Sequence, residues 1–207
     1  MITKKQLQLL GVFQKNIFKE YSFKEIKAYS KEKSNSVIQR ATRQFKTENL
    51  VKERKVGTSK LYSLDLSNTK VFLYLELLCQ DRLPSIAQKS LRIVSKELSN
   101  IIFYSLVVFG SYTEGKASDR SDFDLAIFIP DKSHKKNIDV ALHSASNKSL
   151  LKLDYHIITA PEMLEMLKAD YENVGKEIAR KNLPVHNSQL FYNLIMRGAA
   201  NGFNPVP

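Results

Sequence analysis

The chain has 207 residues, of which 43% are hydrophobic and 26% charged, the composition of an ordinary globular protein with one or two domains. Its best apolar run, residues 101–109, is far shorter than the roughly 20 residues of a membrane-spanning helix, and the N-terminus lacks the pattern of a signal peptide. The single cysteine, Cys79, excludes a disulfide within the chain and a cysteine-based zinc site, so we expect a reducing, cytoplasmic compartment.

The net charge of +11 is unevenly distributed along the chain. Residues 1–66 contain 15 Lys and Arg against 6 Asp and Glu, a net charge of +9. The other 141 residues contain 17 against 15, a net charge of +2. This asymmetry predicts a basic module that binds a polyanion, joined to a nearly neutral module.

Three helices are predicted in the first 50 residues. The first lies within residues 3–15, where apolar side chains recur at helical spacing. The second begins at Ser22, a plausible N-cap with Glu25 three residues later, as in a capping box. The third begins near Ser34. Its predicted apolar stripe consists of Val37, Ala41 and Phe45.

Two short alternating segments, residues 51–55 and 60–64, follow the third helix and are joined through Gly57 and Thr58, which predicts a β-hairpin. Three helices followed by a basic hairpin resemble a winged helix-turn-helix domain. The resemblance implies that the third helix enters the major groove and that the hairpin lies along the DNA backbone. The residues implied to contact DNA are Ser34, Ser36, Gln39, Arg40 and Arg43 on the helix, and Lys52, Arg54, Lys55 and Lys60 on the hairpin. Winged helices also serve in dimerisation and protein docking, and this alternative remains open.

The rest of the chain is predicted to form a helical connector and a second domain. Two helical segments lie between residues 68 and 100 and are interrupted at Pro84. The predicted divisions are residues 1–66 for the winged helix, 67–84 for the connector, 85–198 for the second domain and 199–207 for a flexible tail.

An anion-binding turn is predicted next to a pair of carboxylates. The apolar run 101–109 is predicted to be a buried strand that ends at Gly110 and Ser111, where glycine lets the backbone approach a ligand and serine adds a hydroxyl donor. A second strand begins near residue 121 and carries Asp122 and Asp124, which alternation places on one face. Two adjacent carboxylates repel unless a cation lies between them, and Mg²⁺ suits carboxylate and phosphate oxygens together.

A third carboxylate, Asp154, interrupts the apolar strand LLKLDYHIIT and is predicted to project away from the face that carries Leu151 and Leu153. His156 shares the face of Asp154. This histidine either lines the pocket or is a hydrogen-bonded strand residue, and we favour the second interpretation.

The string GSYTEGKASDRSDFDLAIF, together with the later Asp154, resembles the DNA polymerase β-type nucleotidyltransferase superfamily, in its minimal nucleotidyltransferase (MNT) branch. The resemblance covers about residues 85–195. Together with the resemblance of residues 1–66 to a winged helix, it implies an α+β chain, with an N-terminal winged helix-turn-helix followed by a small polymerase β-like nucleotidyltransferase domain. In that domain a mixed sheet is expected to have its helices on one side.

The resemblance also implies roles for individual residues. Asp122, Asp124 and Asp154 are the expected catalytic residues and the ligands of two Mg²⁺ ions, or of Mn²⁺, with Asp154 also acting as a general base. Gly110 and Ser111 are expected to hold the β- and γ-phosphates of a nucleoside triphosphate. MNT relatives commonly carry Arg-Gly-Glu where this chain has Glu114-Gly115-Lys116, so the two charges are exchanged. Lys116 either takes over the nucleotide-binding role of the arginine or forms a surface pair with Glu114.

The expected reaction is the Mg²⁺-dependent transfer of a nucleoside monophosphate, most plausibly AMP from ATP, to a hydroxyl. By the same resemblance the acceptor is a partner protein, such as a HEPN-type toxin neutralised by an MNT-type antitoxin that also binds DNA, and a homodimer is a further expectation. The alternative is a DNA-binding transcriptional regulator that senses a nucleotide and has no transferase activity.

Overall fold

A computed structural model of the protein describes residues 2–118 and 121–205. The chain separates into two compact units, residues 1–78 and 79–207. The boundary falls inside a helix and within the segment predicted as a connector. In the described part of the chain, no helix combines the length and the apolar character needed to cross a membrane.

The N-terminal unit contains three helices and a small antiparallel sheet. Its elements are α1 (Lys4–Leu10), followed by a 3-10 turn (Gly11–Lys15), β1 (Tyr21–Ser22), α2 (Phe23–Ser30), α3 (Asn35–Thr47), β2 (Val51–Val56) and β3 (Ser59–Leu64). The strand order is β1-β3-β2, with β3 antiparallel to both neighbours. The three predicted helices and the predicted hairpin are therefore present.

Local sequence explains how these helices begin and which faces they bury. Ser22 caps α2 in a complete capping box with Glu25, as the sequence predicted. On α3, Ala41 and Phe45 are buried as predicted. The third residue of the buried stripe is Ile38, which is fully buried, and not Val37, which is only half-buried. Positions 38, 41 and 45 fit one helical face better than 37, 41 and 45, since they combine spacings of three and four.

The second unit is built on a four-stranded mixed sheet. Its elements are α4 (Thr69–Arg82), which begins in the first unit, α5 (Ser85–Glu97), β4 (Ser105–Val108), a 3-10 turn (Gly110–Glu114), β5 (Phe123–Ile129), a 3-10 turn (Lys132–His134), α6 (Lys135–Lys148), β6 (Leu153–Thr159), α7 (Ala160–Lys168), α8 (Val174–Arg180), β7 (Leu183–His186) and α9 (Ser188–Ala200). The strand order is β6-β5-β4-β7. Strands β5 and β6 are parallel, and the other two pairings are antiparallel.

Helices cover both faces of this sheet, so the prediction of helices on one side is wrong. Leu125 and Ile127 of β5 join a core with the apolar faces of α5 and α6. Phe128, which alternation turns to the opposite face, lies with its ring 5.3 Å from that of Phe191 on α9. β5 is therefore buried on both faces, which explains its almost continuous apolar sequence.

The strand predicted over residues 101–109 is shorter than expected, because β4 covers only Ser105–Val108. Ile102 and Phe103 lie outside it and are 82% and 62% exposed. Ser105 pairs with Phe128 in antiparallel register, so an extension of β4 would set residue 103 opposite Pro130. Proline has no amide hydrogen to donate, and the ladder therefore ends before that position.

Part of the segment predicted as a tail packs on the second unit. Phe203 is buried, its amide donates to the carbonyl of Gly198 (3.1 Å), and the guanidinium of Arg180 lies 5.9 Å from its ring centroid. The last two residues of that segment, 206–207, lie outside the described residues, as do residues 119–120 between the two predicted strands.

Candidate active site

Gly110 lies directly against Asp124. The amide of Phe109 donates to the carbonyl of Asp124 (3.1 Å), which holds the end of β4 beside the start of β5. Gly110 has a φ of +64°, in the left-handed region that favours glycine. A Cβ atom at position 110 would lie 2.9 Å from Cγ of Asp124 and nearer still to its Oδ2 atom. The absence of a side chain at 110 is therefore what leaves room for the Asp124 carboxylate.

The turn after Gly110 is closed by hydrogen bonds within itself. Thr113 donates its hydroxyl to the carbonyl of Gly110 (2.7 Å), and the amide of Lys116 donates to the carbonyl of Ser111 (3.2 Å). Arg82 donates from Nη2 to the carbonyl of Thr113 (2.9 Å). The 3-10 turn thus has a defined shape, and Ser111 is half-buried in it.

The three predicted aspartates converge on the adjoining ends of two strands. Asp124 on β5 and Asp154 on β6 are direct partners in the parallel register, and Asp122 precedes β5 by one residue. Leu153 is buried and Asp154 is exposed, so the predicted outward direction of Asp154 is confirmed. The Oδ2 atom of Asp122 forms an ion pair with Nζ of Lys152 (2.9 Å).

The pKa of the Asp124 carboxyl is raised above its usual value near 3.8. Burial is the largest cause, because it disfavours the charged form, and the negative charges of Asp154, Asp122 and Glu177 follow. His156 acts in the opposite direction and lowers this pKa. Asp124 is therefore half-buried among like charges.

A divalent cation suits the chemistry of this donor set. Carboxylate oxygens are the preferred ligands of Mg²⁺, and a cation would relieve the repulsion that raises the pKa of Asp124. The ammonium of Lys152 already supplies one positive charge at Asp122. Within residues 2–118 and 121–205, however, no group of three or more His, Cys, Asp or Glu side chains is close enough together to hold a metal ion.

The lysine predicted to bind phosphate contacts an acid. Nζ of Lys116 lies 3.1 Å from Oε2 of Glu114, and Nζ of Lys181, just after α8, lies 2.9 Å from Oε1 of the same carboxylate. Lys181 and Lys116 hold the pKa of Glu114 below its usual range, and Glu114 raises that of Lys181. The exchanged charges of Glu114 and Lys116 therefore form an ion pair, extended by a second lysine.

His156 lies one register step from the aspartates, opposite Ala126 on β5. Its side chain is exposed, and its ring centroid lies 5.8 Å from that of Phe109, with the ring planes at 43°. Its effect on the pKa of Asp124 places it within electrostatic range of the site.

Three charged residues of the site were missed in the sequence. Lys152 stands two residues before Asp154, so alternation alone would have set it beside the carboxylates. Glu177 and Lys181 are contributed by α8 and the residue after it, some 50 residues beyond β5. No motif marks them, because their position depends on how α8 packs against the sheet domain.

A groove in the N-terminal unit contains part of the predicted DNA-binding set. Its volume is about 820 Å³, and it lies between the start of α2, one face of α3 and the hairpin. Gln39 and Arg43 of α3 line it, and Lys60 and Tyr62 of β3 line its opposite side. Lys24 of α2, which the sequence did not single out, also lines it.

The predicted hairpin cations are divided between two faces. Lys55 and Lys60 are direct cross-strand partners and share the face of Glu53 and Tyr62, which borders the groove. Glu53 forms ion pairs with Lys60 (3.3 Å) and with Lys46 of α3 (3.0 Å).

Lys52 and Arg54 project from the other face of the hairpin. Lys52 forms an ion pair with Asp65 (3.0 Å), and Arg54 forms one with Glu20. On α3, Ser34 is the N-cap, and its hydroxyl lies 2.9 Å from that of Ser36. Arg40 is exposed.

Comparisons with known proteins find a family match inside the second unit. No curated protein and no solved structure matches the chain. Residues 88–182 match the family model described as "Nucleotidyltransferase domain". The matched segment contains Gly110, the three aspartates and Lys181. The match supports the nucleotidyltransferase superfamily for this part of the chain, and with it a transferase of nucleotidyl groups.

Proposed function

We propose that the protein is a Mg²⁺-dependent nucleotidyltransferase that transfers AMP from ATP to a hydroxyl on a partner protein. The proposal is carried by one observation: Gly110 leaves room for the Asp124 carboxylate, which pairs in register with Asp154. This pairing lies inside the segment that matches the nucleotidyltransferase domain. Protein as the acceptor, and AMP as the transferred group, rest on the resemblance to the MNT branch.

In this proposal the turn that begins at Gly110 binds phosphate, and the three aspartates serve the chemical step. The N–H groups at Gly110 and Ser111, the Ser111 hydroxyl and the Lys116 ammonium bind the β- and γ-phosphates and orient the α-phosphorus. Asp122, Asp124 and Asp154, drawn closer together than they lie here, would hold Mg²⁺, which supplies charge neutralisation and Lewis acidity when bound.

Asp154 is the exposed carboxylate of the three and receives the proton of the acceptor hydroxyl. The acceptor oxygen then forms a bond to the α-phosphorus, while the bond between the α-phosphorus and the bridging oxygen of pyrophosphate breaks. The proton ends on Asp154, and pyrophosphate takes the electron pair.

A second function is favoured by one feature of the site, the Glu114 carboxylate that holds Lys116. In this alternative the second unit binds a nucleotide without transferring it, and the protein is a DNA-binding transcriptional regulator. The two functions differ in whether the nucleotide's α-phosphate becomes covalently attached to an acceptor.

A labelling experiment separates them. The protein is incubated with Mg²⁺ and α-³²P-labelled ATP, GTP, CTP or UTP, alone and with cell lysate, beside an Asp122→Ala/Asp124→Ala variant. We expect label from ATP on a discrete protein, absent with the variant. Nucleotide binding by the wild-type protein without any labelled acceptor would support the regulator instead.

For the N-terminal unit we propose a winged helix that binds duplex DNA. Its support is the element order α1-β1-α2-α3-β2-β3, the net charge of +9 over residues 1–66, and the basic groove between α3 and the hairpin. In this arrangement Arg43 and Lys60 flank one DNA strand from opposite sides of the groove. The predicted contacts of Ser34, Ser36, Gln39, Arg40 and Lys55 extend the same surface.

Neutralising the groove is expected to weaken DNA binding and to flatten its salt dependence. For Arg43→Gln and for Lys60→Gln we expect a lower affinity for a short random-sequence duplex and a salt slope smaller by about one for each lost phosphate contact. Fluorescence anisotropy across a salt series measures both quantities. Lys52→Gln and Arg54→Gln are the matched controls, since they remove the same charge from the opposite face of the hairpin. Equal losses in all four variants, or binding that is insensitive to salt, would contradict this geometry.

A further inference from the structure

One carboxylate at the candidate phosphate site contacts two lysines from distant parts of the sequence. Glu114 ends the 3-10 turn that begins at Gly110, and its two oxygens contact Lys116 on the same loop and Lys181 beyond α8. The ammonium groups of Lys116 and Lys181 therefore share a single carboxylate, that of Glu114. The side chains are accessible: Lys116 is 74% exposed, Lys181 51% and Glu114 35%.

A shared acidic neighbour and a hydrogen bond connect this trio to the aspartates. Glu177, in the first turn of α8, raises the pKa of both Asp124 and Lys181. Thr113, the neighbour of Glu114, is hydrogen bonded to the carbonyl of Gly110, the residue that lies against Asp124. The lysines are thus anchored close to where the proposal above sets the nucleotide's phosphates.

Exposed ion pairs of this kind are weak, because water and salt screen them. A terminal phosphate carries a charge of about −2 at neutral pH and presents three acceptor oxygens, whereas a carboxylate carries one charge on two oxygens. A triphosphate can therefore displace Glu114 from both lysines, whereas AMP has no terminal phosphate that extends to them.

We infer that Glu114 is an internal competitor for the terminal phosphate of the donor nucleotide, and that Lys181 is a phosphate-binding residue which Glu114 occupies until the triphosphate displaces it. This inference rests on the proposed nucleotide-binding function and deepens it. It assigns to Lys181 a direct contact with substrate and to Glu114 control over the affinity for triphosphate. Glu114 stands where MNT relatives commonly carry an arginine, and Lys181 together with Lys116 supplies the positive charge that this position lacks.

The test measures nucleotide affinity by isothermal titration calorimetry in Mg²⁺, with ATP and AMP as separate ligands. Glu114→Gln keeps the shape of the side chain and removes its charge, so we expect ATP to bind about 3- to 10-fold more tightly and AMP to bind unchanged. Lys181→Gln is expected to weaken ATP binding by a similar factor. Glu97→Gln is the matched control, since Glu97 also pairs with a lysine, Lys148 (2.7 Å), away from the turn.

A double variant tells competition from a general change in charge. If Glu114 acts through the lysines, the gain from Glu114→Gln disappears in the Lys116→Gln/Lys181→Gln background. A gain that persists there, an equal gain for AMP, or an unchanged or weaker affinity for ATP overturns the inference while leaving the proposed function in place. Absence of ATP binding by both the wild-type protein and Glu114→Gln overturns the inference and the nucleotide-binding function together.

Discussion

Asp124→Asn is expected to abolish nucleotidyl transfer and, in the absence of nucleotide and metal, to raise the melting temperature at neutral pH. The loss of activity should be at least about 1,000-fold, because the proposed mechanism needs the negative charge of Asp124 within the carboxylate set. The gain in stability follows from the environment of Asp124, where burial and three neighbouring carboxylates disfavour the ionised side chain. The neutral amide has nearly the same shape and lacks that repulsion.

The pH dependence of the stability difference follows from the same shift. Because the folded-state pKa of Asp124 is raised, the native protein holds this proton more tightly than the unfolded chain, and its stability falls as pH rises through the region above the usual value near 3.8. Asp124→Asn lacks this loss, so its advantage should be full at neutral pH and should vanish as the pH is lowered towards that value.

Differential scanning calorimetry at several pH values measures the change in melting temperature. The labelling assay, run in parallel, measures the loss of transfer. Asp139→Asn provides the control, since Asp139 lies on α6 and accepts a hydrogen bond from the hydroxyl of Tyr155 (3.1 Å). A variant that keeps its activity would show that transfer does not require Asp124, and one that melts below the wild type at neutral pH would show that the ionised carboxylate is not destabilising.

Gly110→Ala is expected to reduce transfer by about 100-fold or more and to cost about 1–3 kcal/mol of stability. The stability loss comes from a φ of +64° at a residue that now has a Cβ atom. The activity loss comes from the collision of that Cβ atom with the Asp124 carboxylate, which must move away from its present position.

Gly115→Ala separates these two effects. Gly115 has nearly the same backbone angle, a φ of +67°, but a Cβ atom there meets no atom within 4 Å. We therefore expect a similar loss of stability without the additional loss of transfer. Denaturant melts and initial rates for the two variants make the comparison, and equal activities would refute the role assigned to Gly110.

The carboxylates could be predicted from the sequence because they depend on local alternation. Asp124 and Asp154 each interrupt an apolar strand, and the parallel β5–β6 register then brings them opposite each other. The length of β4 could not be predicted in the same way. Its limit is set by Pro130, which lies on another strand end and meets β4 only through the antiparallel register.

The covering of both sheet faces and the position of Lys181 depend on long-range packing. The apolar faces of α7 and α9 are compatible with either side of a sheet, and tertiary contacts such as that between Phe128 and Phe191 decide the side. The nine hairpin and helix residues predicted to bind DNA show the same limit. The basic charge of the hairpin was evident in the sequence, but strand pairing places Lys52 and Arg54 on one face and Lys55 and Lys60 on the other.

The central position of β5 in the sheet should protect its amide hydrogens from exchange with solvent. β5 is flanked by β4 and β6, and its residues from Leu125 to Ile129 are fully buried. Their amide hydrogens should exchange with solvent only when the whole unit unfolds, whereas amides in the exposed residues 114–116 should exchange through local opening. We therefore expect the strand that carries Asp124 and the loop of residues 114–116 to open as separate cooperative units, so that the loop can move while the strand keeps its place in the sheet.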